Sequence, residues 1–333
     1  MLRIGINGFG RVGRCVYRIA RERSDVSVVA INDVAEPRAL AYLLKFDTVM
    51  GRLDAPVRLE GDTLCVGDER TKMLRETDHS RIPWGQLGVD VVIESTGQFK
   101  TREALGVHLQ AGAPRVILTV PAAEPLDATV VLGVNDAILT GDHRLVSNAS
   151  CTTNCLAPLA KVLHDAFGID KGLMTTVHAY TNDQRLAEVA DGTDPRIMRA
   201  AAENIIPSTT GAAKAVADVL PELRGRLDGL AMRVPIPDGS TVDLVAEMQT
   251  SVTIEEVNEV VRQAAEGPLA GILEYCTDPV VSSDIIGNPH SCIFDSALTQ
   301  VTGSRLLRVV AWYDNEWGYS SRVVDLAERL VRL

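Results

Sequence analysis

The 333-residue chain has only six cysteines and no CxxC pair. None of its six histidines lies within a few residues of Cys151 and Cys155, the two cysteines that stand close together. No metal site is expected from that spacing, and thiols this sparse are expected to be reduced. No uninterrupted apolar run approaches the roughly 18 residues of a membrane span. The opening "MLRIGINGFG" lacks a basic n-region, a long apolar h-region and a small-residue cleavage site, so no secretion signal is read there. Basic side chains are outnumbered 33 to 44, leaving a formal charge of −11. Neither a nucleic-acid groove nor an anionic membrane surface is expected as a partner. Internal repeats, low-complexity tracts and proline-rich linkers are absent too. A cytoplasmic, soluble protein is expected.

What the chain does have is apolar content, 46% of its residues, enough for two ordinary cores. The first half alternates short apolar strands with helical stretches: "LRIGI", "RVGRCVYRIARER", "VSVVAIND", "VDVVIESTG", a helix beginning near Thr101, "PRVILTVPA" and "HRLVSNAS". Such strands, separated by helices, imply a parallel sheet covered on both faces. After about residue 150 the strands lengthen and several alternate with period two: "GLMTTVHAYT", "LDGLAMRVPIP", "TVDLVAEMQ" and "LLRVVAWYD". That pattern predicts a sheet with one face packed by helices. Helices are predicted over Cys151–Phe167 and Gly211–Leu220. A last amphipathic helix carries Val323, Leu326, Ala327, Leu330 and Val331 on one face.

Gly8, Gly10 and Gly13 form GxGxxG directly between a strand and a helix. Gly8 permits the tight turn, Gly10 lets a pyrophosphate approach the backbone, and Gly13 lets helix and strand pack closely. The anion would lie against free N–H groups where the helix begins, near Arg11 and Val12. Asp33 ends the second strand about twenty residues after the loop, where adenosine ribose hydroxyls would lie. A carboxylate there accepts hydroxyl hydrogen bonds and repels a 2′-phosphate. At an effective dielectric near 20, two unit charges at 4 Å interact by roughly 4 kcal/mol, which favours NAD over NADP. The expected fold is α/β: a Rossmann-type dinucleotide-binding domain of residues 1–149, completed by the helix 316–333, and an α+β domain of residues 150–315 with a largely antiparallel sheet.

In "SNASCTTNCLAP", Ser147, Asn148 and Ser150 are good N-cap residues ahead of apolar residues at helical spacing. Cys151 therefore falls in the first helical turn, where unpaired N–H groups and the helix dipole favour its thiolate. Cys155, one turn further in, receives much less of that field. Residues at i and i+4 hold their Cβ atoms about 5–6 Å apart, whereas a disulfide wants about 3.5–4.5 Å. The bridge is disfavoured. A nucleophilic thiol needs a base. His178 lies on a strand that starts shortly after this helix ends, so the two can meet at one sheet edge.

"GINGFGRVGR", "INDV", "ESTGQF", "SNASCTTNCLAP", "TTVHAYTNDQ", "NIIPSTTGAAKAV", "MRVPIP" and "WYDNEWGYSSRV" run in order from the first strand to the last helix. Together they resemble phosphorylating glyceraldehyde-3-phosphate dehydrogenase. The resemblance implies NAD as cofactor, glyceraldehyde 3-phosphate and inorganic phosphate as substrates, and a homotetramer. It implies Cys151 as nucleophile, His178 as its base, and Asn315 as holder of the nicotinamide carboxamide. With the glycine loop and Asp33, it adds Thr77, Thr96, Gly97 and Thr119 to the cofactor site. Two anion sites are implied: Thr181, Asp183 and Arg233 for one, Ser150, Thr152, Thr210 and Gly211 for the other. Asp183 is expected to orient Arg233 rather than touch phosphate.

The segment between Gln184 and Ile205 fits the family pattern less well. It carries one extra residue, and an arginine cluster is reduced to Arg196 and Arg199. The anion-binding role is carried to Arg199, with Arg196 as the alternative. Val189 and Ala190 stand where NAD-specific relatives often have Leu-Pro, which leaves residual NADP use open. "PIPDGS" replaces a commoner Asn-Val, and Thr77 stands where many relatives have arginine. Two other readings compete: the related erythrose-4-phosphate dehydrogenase, and a non-catalytic NAD-binding regulatory protein. "PSTTGAAKAV" resembles the glyceraldehyde branch better, and an intact Cys151 and His178 tell against loss of catalysis.

Overall fold

The computed structural model describes residues 1–190 and 194–333, so the middle of the irregular segment after Gln184 lies outside the described residues. The chain divides into two units. The first comprises residues 1–130, 137–149 and 320–333; the second comprises 131–136 and 150–319.

In chain order the first unit runs β1 (Leu2–Asn7), α1 (Arg11–Arg21), β2 (Val26–Asn32), α2 (Pro37–Lys45), β3 (Val57–Glu60), β4 (Thr63–Val66), β5 (Glu69–Leu74), β6 (Val91–Glu94), α3 (Arg102–Gln110), β7 (Val116–Leu118), β8 (Ala128–Thr129) and β9 (Leu145–Ser147). Its sheet has the order β3-β4-β5-β2-β1-β6-β7-β9-β8. Strands from β5 through β8 pair in parallel. All four residues of β6 are buried, as a strand covered on both faces must be. On one side Trp84, Leu105, Val92, Val116 and Leu118 share a core. The antiparallel run β3–β4–β5 is an addition that the apolar pattern did not announce. These strands are short, and most of their outward residues are polar.

Two glycines fix the start of α1. Gly8 has φ +90°, and a Cβ there would lie 2.7 Å from the backbone nitrogen of Thr96. A Cβ on Gly13 would lie 2.2 Å from the carbonyl oxygen of Gly8. The helix therefore rests directly on the turn that precedes it.

The second unit holds α4 (Cys151–Phe167), β10 (Ile169–Ala179), β11 (Ile206–Thr209), α5 (Ala212–Val219), β12 (Leu227–Val234), β13 (Ser240–Met248), α6 (Ile254–Glu266), β14 (Leu273–Cys276), β15 (Cys292–Asp295), β16 (Gln300–Thr302) and β17 (Leu306–Tyr313). Its sheet runs β11-β12-β10-β13-β17-β15-β14, with β16 on β17. It is largely antiparallel, with parallel pairs at β10–β12 and β14–β15. β13 alternates in burial along its length, the sign of a sheet with one covered face. The cover is α4, α5 and α6, and α4 is buried along most of its length. The chain ends in α7 (Trp317–Arg332), whose residues from Ser320 onward belong to the first unit.

Because Gly13 has no room for a methyl group, Gly13→Ala is expected to lift α1 from its turn. The expected cost is about 1–3 kcal/mol of stability, read by chemical denaturation, with weaker binding of NAD read by fluorescence titration.

Candidate active site

The carboxyl ends of the parallel strands in the first unit open into a cleft of about 290 Å³. Gly8, Gly10, Asp33, Thr77 and Thr96, all candidate cofactor residues, line it. Gly10 caps α1 without any side-chain hydrogen bond, and a Cβ there would meet nothing within 4 Å. The first turn of α1, at Arg11 and Val12, starts from this open position, and the N–H groups of a helix start are suited to a pyrophosphate. Asp33 is aimed by the loop itself: Phe9 N–H donates to its Oδ2 at 2.6 Å and Ala35 N–H to its Oδ1 at 2.9 Å. Gly97 has φ +71° beside the cleft, and Thr119 is buried, donating its hydroxyl to the Glu94 carbonyl at 3.0 Å. Arg11 points its guanidinium at Asp47.

Residues not singled out from the sequence also line the cleft, among them Asn7, Asn32, His79 and Phe99. Asn7 and Asn32 are polar residues that end apolar strands at the carboxyl edge of a parallel sheet, a signal that could have found them. Asn32 donates to Asn7 Oδ1 at 2.8 Å, and Asn7 donates to Glu94 Oε2 at 2.5 Å. Glu94 also accepts from the Thr96 N–H at 2.9 Å and from His108 at 3.1 Å. His79, Glu94 and His108 bring ligand-type atoms within 4.8 Å of one another. Their hydrogen bonds speak against a metal there. The Trp84 Nε1–H donates to His108 Nδ1 at 3.1 Å, so the proton of His108 sits on Nε2 and points at Glu94.

In the second unit Ser150 caps α4, its hydroxyl accepting the Thr153 N–H at 3.0 Å. Cys151 is the first helical residue, and its Sγ lies 3.4 Å from His178 Nε2 near the end of β10. His178 Nδ1 is 2.7 Å from the Ala179 carbonyl and 2.7 Å from Arg233 Nη1. The two neighbours make opposite demands, since the carbonyl wants a proton on Nδ1 and the guanidinium wants a lone pair. The carbonyl can only accept, and Arg233 Nη1 reaches that same carbonyl at 3.2 Å. A proton on Nδ1 therefore satisfies the carbonyl and leaves Arg233 an acceptor. Nε2 then presents its lone pair to Cys151.

Electrostatics corrects one expectation. Burial pushes the Cys151 thiol up to about 11, against the pull of Arg233 and of Thr152, whose N–H and hydroxyl both favour the thiolate. Burial, then the Arg233 charge, pushes His178 down to about 4. The helix start alone does not make this thiol acidic, because desolvation is larger than the field of one helix end. Transfer of the thiol proton to Nε2 changes the balance, since it creates opposite charges 3.4 Å apart. Their attraction, about 5 kcal/mol at an effective dielectric near 20, offsets about half of the roughly 10 kcal/mol that separates a thiol near 11 from an imidazole near 4. The resting pair is therefore neutral, and the thiol gives its proton to Nε2 as Sγ reacts.

Around the pair, Tyr313 Oη bridges the hydroxyls of Thr152 and Thr176 at 2.8 and 2.9 Å and sets its ring edge-on to His178. Asn315 is buried and accepts at Oδ1 from Ser240 Oγ at 2.6 Å. That same Oγ accepts the N–H of Ala179 at 3.0 Å. Cys155 is turned away from the site, its thiol directed at the Trp312 carbonyl and its side chain set beside Cys292. All six cysteines are free thiols.

The anion-site residues are placed less uniformly. Arg233 stands at His178, paired with it across the β10–β12 register. Asp183 does not orient it; it accepts from the Thr181 hydroxyl instead, two residues away. Thr210 Oγ1 accepts the Ala212 N–H at 3.1 Å, and Gly211 caps α5 without a side-chain hydrogen bond. Arg199 is exposed and pairs with Glu188 at 3.2 Å, while the Arg196 N–H donates to Asp194 at 2.9 Å.

His178→Ala is expected to slow alkylation of Cys151 by iodoacetamide at neutral pH by at least about tenfold, the factor one pKa unit brings. Rates are to be measured in the NAD-free protein, with recovery expected as pH rises. Equal rates in the two proteins would remove the imidazole from the thiol's acidity.

Comparison with known proteins agrees with this geometry. Residues 2–102 match the NAD binding domain of glyceraldehyde 3-phosphate dehydrogenase, and residues 150–315 match its C-terminal domain. The chain is 56% identical over 332 residues to the glyceraldehyde-3-phosphate dehydrogenase of Mycobacterium leprae (strain TN), covering 98% of this chain and 97% of that one. It is 54% identical over 327 residues to that of Geobacillus stearothermophilus, and 54% over 328 residues to that of Streptomyces coelicolor, with the same coverage. With a dinucleotide cradle in one unit and a thiol–imidazole pair in the other, the chain belongs to the glyceraldehyde-3-phosphate dehydrogenase family.

Proposed function

We propose that this chain oxidises D-glyceraldehyde 3-phosphate to 1,3-bisphosphoglycerate with NAD and inorganic phosphate, using Cys151 as nucleophile and His178 as its base. The observation that carries the assignment is the 3.4 Å contact of Sγ with an Nε2 whose partner nitrogen is pinned to the Ala179 carbonyl.

As Sγ adds to the aldehyde carbon, His178 Nε2 takes the thiol proton, giving a hemithioacetal. The imidazolium and the N–H groups at the start of α4 then face the developing oxyanion. Bound NAD would supply the hydride acceptor, and Asn315 would hold its carboxamide. The imidazolium protonates the oxyanion to give the hemithioacetal hydroxyl, and as hydride leaves the carbon His178 Nε2 takes that proton back, leaving a thioester on Cys151. A phosphate oxygen attacks its carbonyl, the carbon–sulfur bond breaks, and the acyl phosphate leaves with the thiolate restored. A thioester retains enough free energy for that exchange.

Arg233, Thr181 and the starts of α4 and α5 supply what phosphate oxygens need: a guanidinium, hydroxyls and backbone N–H groups. Ser150 and Thr152 serve there chiefly through the helix start they shape, because their hydroxyls already bond Thr153 and Tyr313. We place the enzyme in the cytoplasm as a homotetramer; among the described residues no helix is long and apolar enough to cross a membrane.

The deciding measurement is NADH formation from glyceraldehyde 3-phosphate, with and without inorganic phosphate. Wild-type turnover is expected to require phosphate. Cys151→Ala is expected to lose activity by on the order of 10⁴-fold or more, as loss of a covalent nucleophile does. Turnover without phosphate would overturn the acyl-phosphate route, and an active alanine variant would overturn the nucleophile. Erythrose 4-phosphate in the same assay separates the related dehydrogenase. For cofactor choice, Asp33→Asn removes the charge while keeping an acceptor for the Phe9 N–H. It is expected to narrow the preference for NAD over NADP in kcat/KM by about ten- to a hundredfold.

A further inference from the structure

The turn between β12 and β13 buries Asp238, and the residue that follows β17 is Asp314; each is 1% exposed. The two carboxyl groups lie within hydrogen-bonding reach of one another. Asp314 collects three backbone donors: Glu316 and Trp317 N–H on Oδ1 at 2.8 and 2.6 Å, and Gly287 N–H on Oδ2 at 2.7 Å. Asp238 Oδ1 accepts from Gly239 N–H at 2.8 Å. Its Oδ2 is buried and meets no donor among the described residues. The neighbouring backbone leaves no slack, since Gly239 has φ +84° and a Cβ there would lie 2.1 Å from the Ser282 carbonyl.

Two carboxylates in contact inside a protein do not both ionise, and the one with more donors keeps the charge. Three N–H groups assign the charge to Asp314. We propose that Asp238 is a positioning residue that carries a proton in the working enzyme and donates it from Oδ2 to Asp314, clamping the β12–β13 turn to the end of β17. The clamp stands next to the reacting groups. Ser240, two residues beyond Asp238, donates to Asn315 and accepts from the N–H of Ala179, the neighbour of His178. Asn315 directly follows Asp314.

Burial, then the charge of Asp314 and after it that of Glu316, pushes Asp238 up to about 9. A carboxyl group in the unfolded chain titrates near 4. Between those two limits the folded protein holds a proton that the unfolded chain has released. The stability contribution is therefore complete below about pH 4 and is lost progressively as pH rises toward the folded value. Asparagine at 238 offers an N–H to Asp314 and an oxygen to Gly239 at every pH.

The test compares full-length wild type with Asp238→Asn, by denaturant midpoint and by kinetics, from about pH 6 to pH 9.5. The variant is expected to gain on wild type steadily as pH rises. Its kcat/KM for NAD should change less than about twofold across a range in which wild type falls by about tenfold. At neutral pH a protonated-carboxyl stretch should appear in the infrared difference between the two proteins. A stability difference that does not vary with pH, or no such stretch, would overturn the proposal. If the variant does not fold, the same stretch titrating away in wild type between about pH 7 and 10 decides in favour, and its absence against. Only the kinetic arm rests on the catalytic role given to Asn315. A pH-dependent stability gain with unchanged kinetics would therefore keep the proton, remove the positioning role, and leave the assignment of Cys151 and His178 untouched.

Discussion

The contact between Cys151 and His178 depends on a return journey. Helix α4 carries the chain away from the thiol for 17 residues, about 25 Å at the usual rise. Gly168 turns it with a positive φ, and β10 runs back. Ten residues of extended strand, Ile169 to His178, cover about 30 Å. Those lengths nearly match, so the imidazole arrives opposite the first turn of the helix it came from. Shortening either element by one residue would do more than shift the distance. A strand residue lost or gained turns His178 to the other face of the sheet. This explains why both elements are packed so thoroughly. α4 lies against α5, α6 and inner strands, and β10 is paired on both edges by β12 and β13.

That packing determines the chemistry as well as the geometry. A helix end in water would favour a thiolate, but the cover that fixes Cys151 leaves it only partly exposed and reduces the solvent that would stabilise its charge. The same cover makes an isolated imidazolium unfavourable, and Arg233 at 2.7 Å makes it more so. Neither group ionises readily by itself, whereas a transferred proton gives each ion the counter-charge that burial denied it. Arg233 then acts in both directions, stabilising the thiolate and opposing the imidazolium. An imidazolium of that kind is a strong acid, ready to return its proton once the carbon–sulfur bond is made or broken.

Local rules reached the elements whose cause is local. The Ser150 cap and the apolar spacing after it place α4 at Cys151–Phe167, the same span the structure shows. The glycine loop and Asp33 were legible because the turn, the helix start and the strand end are consecutive in sequence. The meander β3–β5 was not, because its strands are short and half polar, so their alternation carries little signal. His79 reaches the cofactor cleft only through the path taken after β5, which no nearby residue announces. The role expected of Asp183 failed for the opposite reason. A threonine two residues away was a nearer donor than an arginine fifty positions on. The acidity of Cys151 was misjudged because the dipole is local and desolvation is a property of the whole fold.

Buried carboxylates show the same division between local and global causes. Glu94 is flanked by four donors from three residues, Asn7, His108 and both the N–H and the hydroxyl of Thr96, and no acid competes for them. Asp238 sits 76 positions from Asp314 in sequence, and only the antiparallel register of β13 with β17 brings Ser240 level with Tyr313 and hence the two acids together. A pairing that costs burial of two acids persists only if something is gained from holding their strand ends together. What those ends carry is Ser240 and Asn315, joined by a 2.6 Å hydrogen bond. The acid pair and the amide are thus parts of one arrangement, in which a proton between the carboxyl groups does the work of a counter-charge.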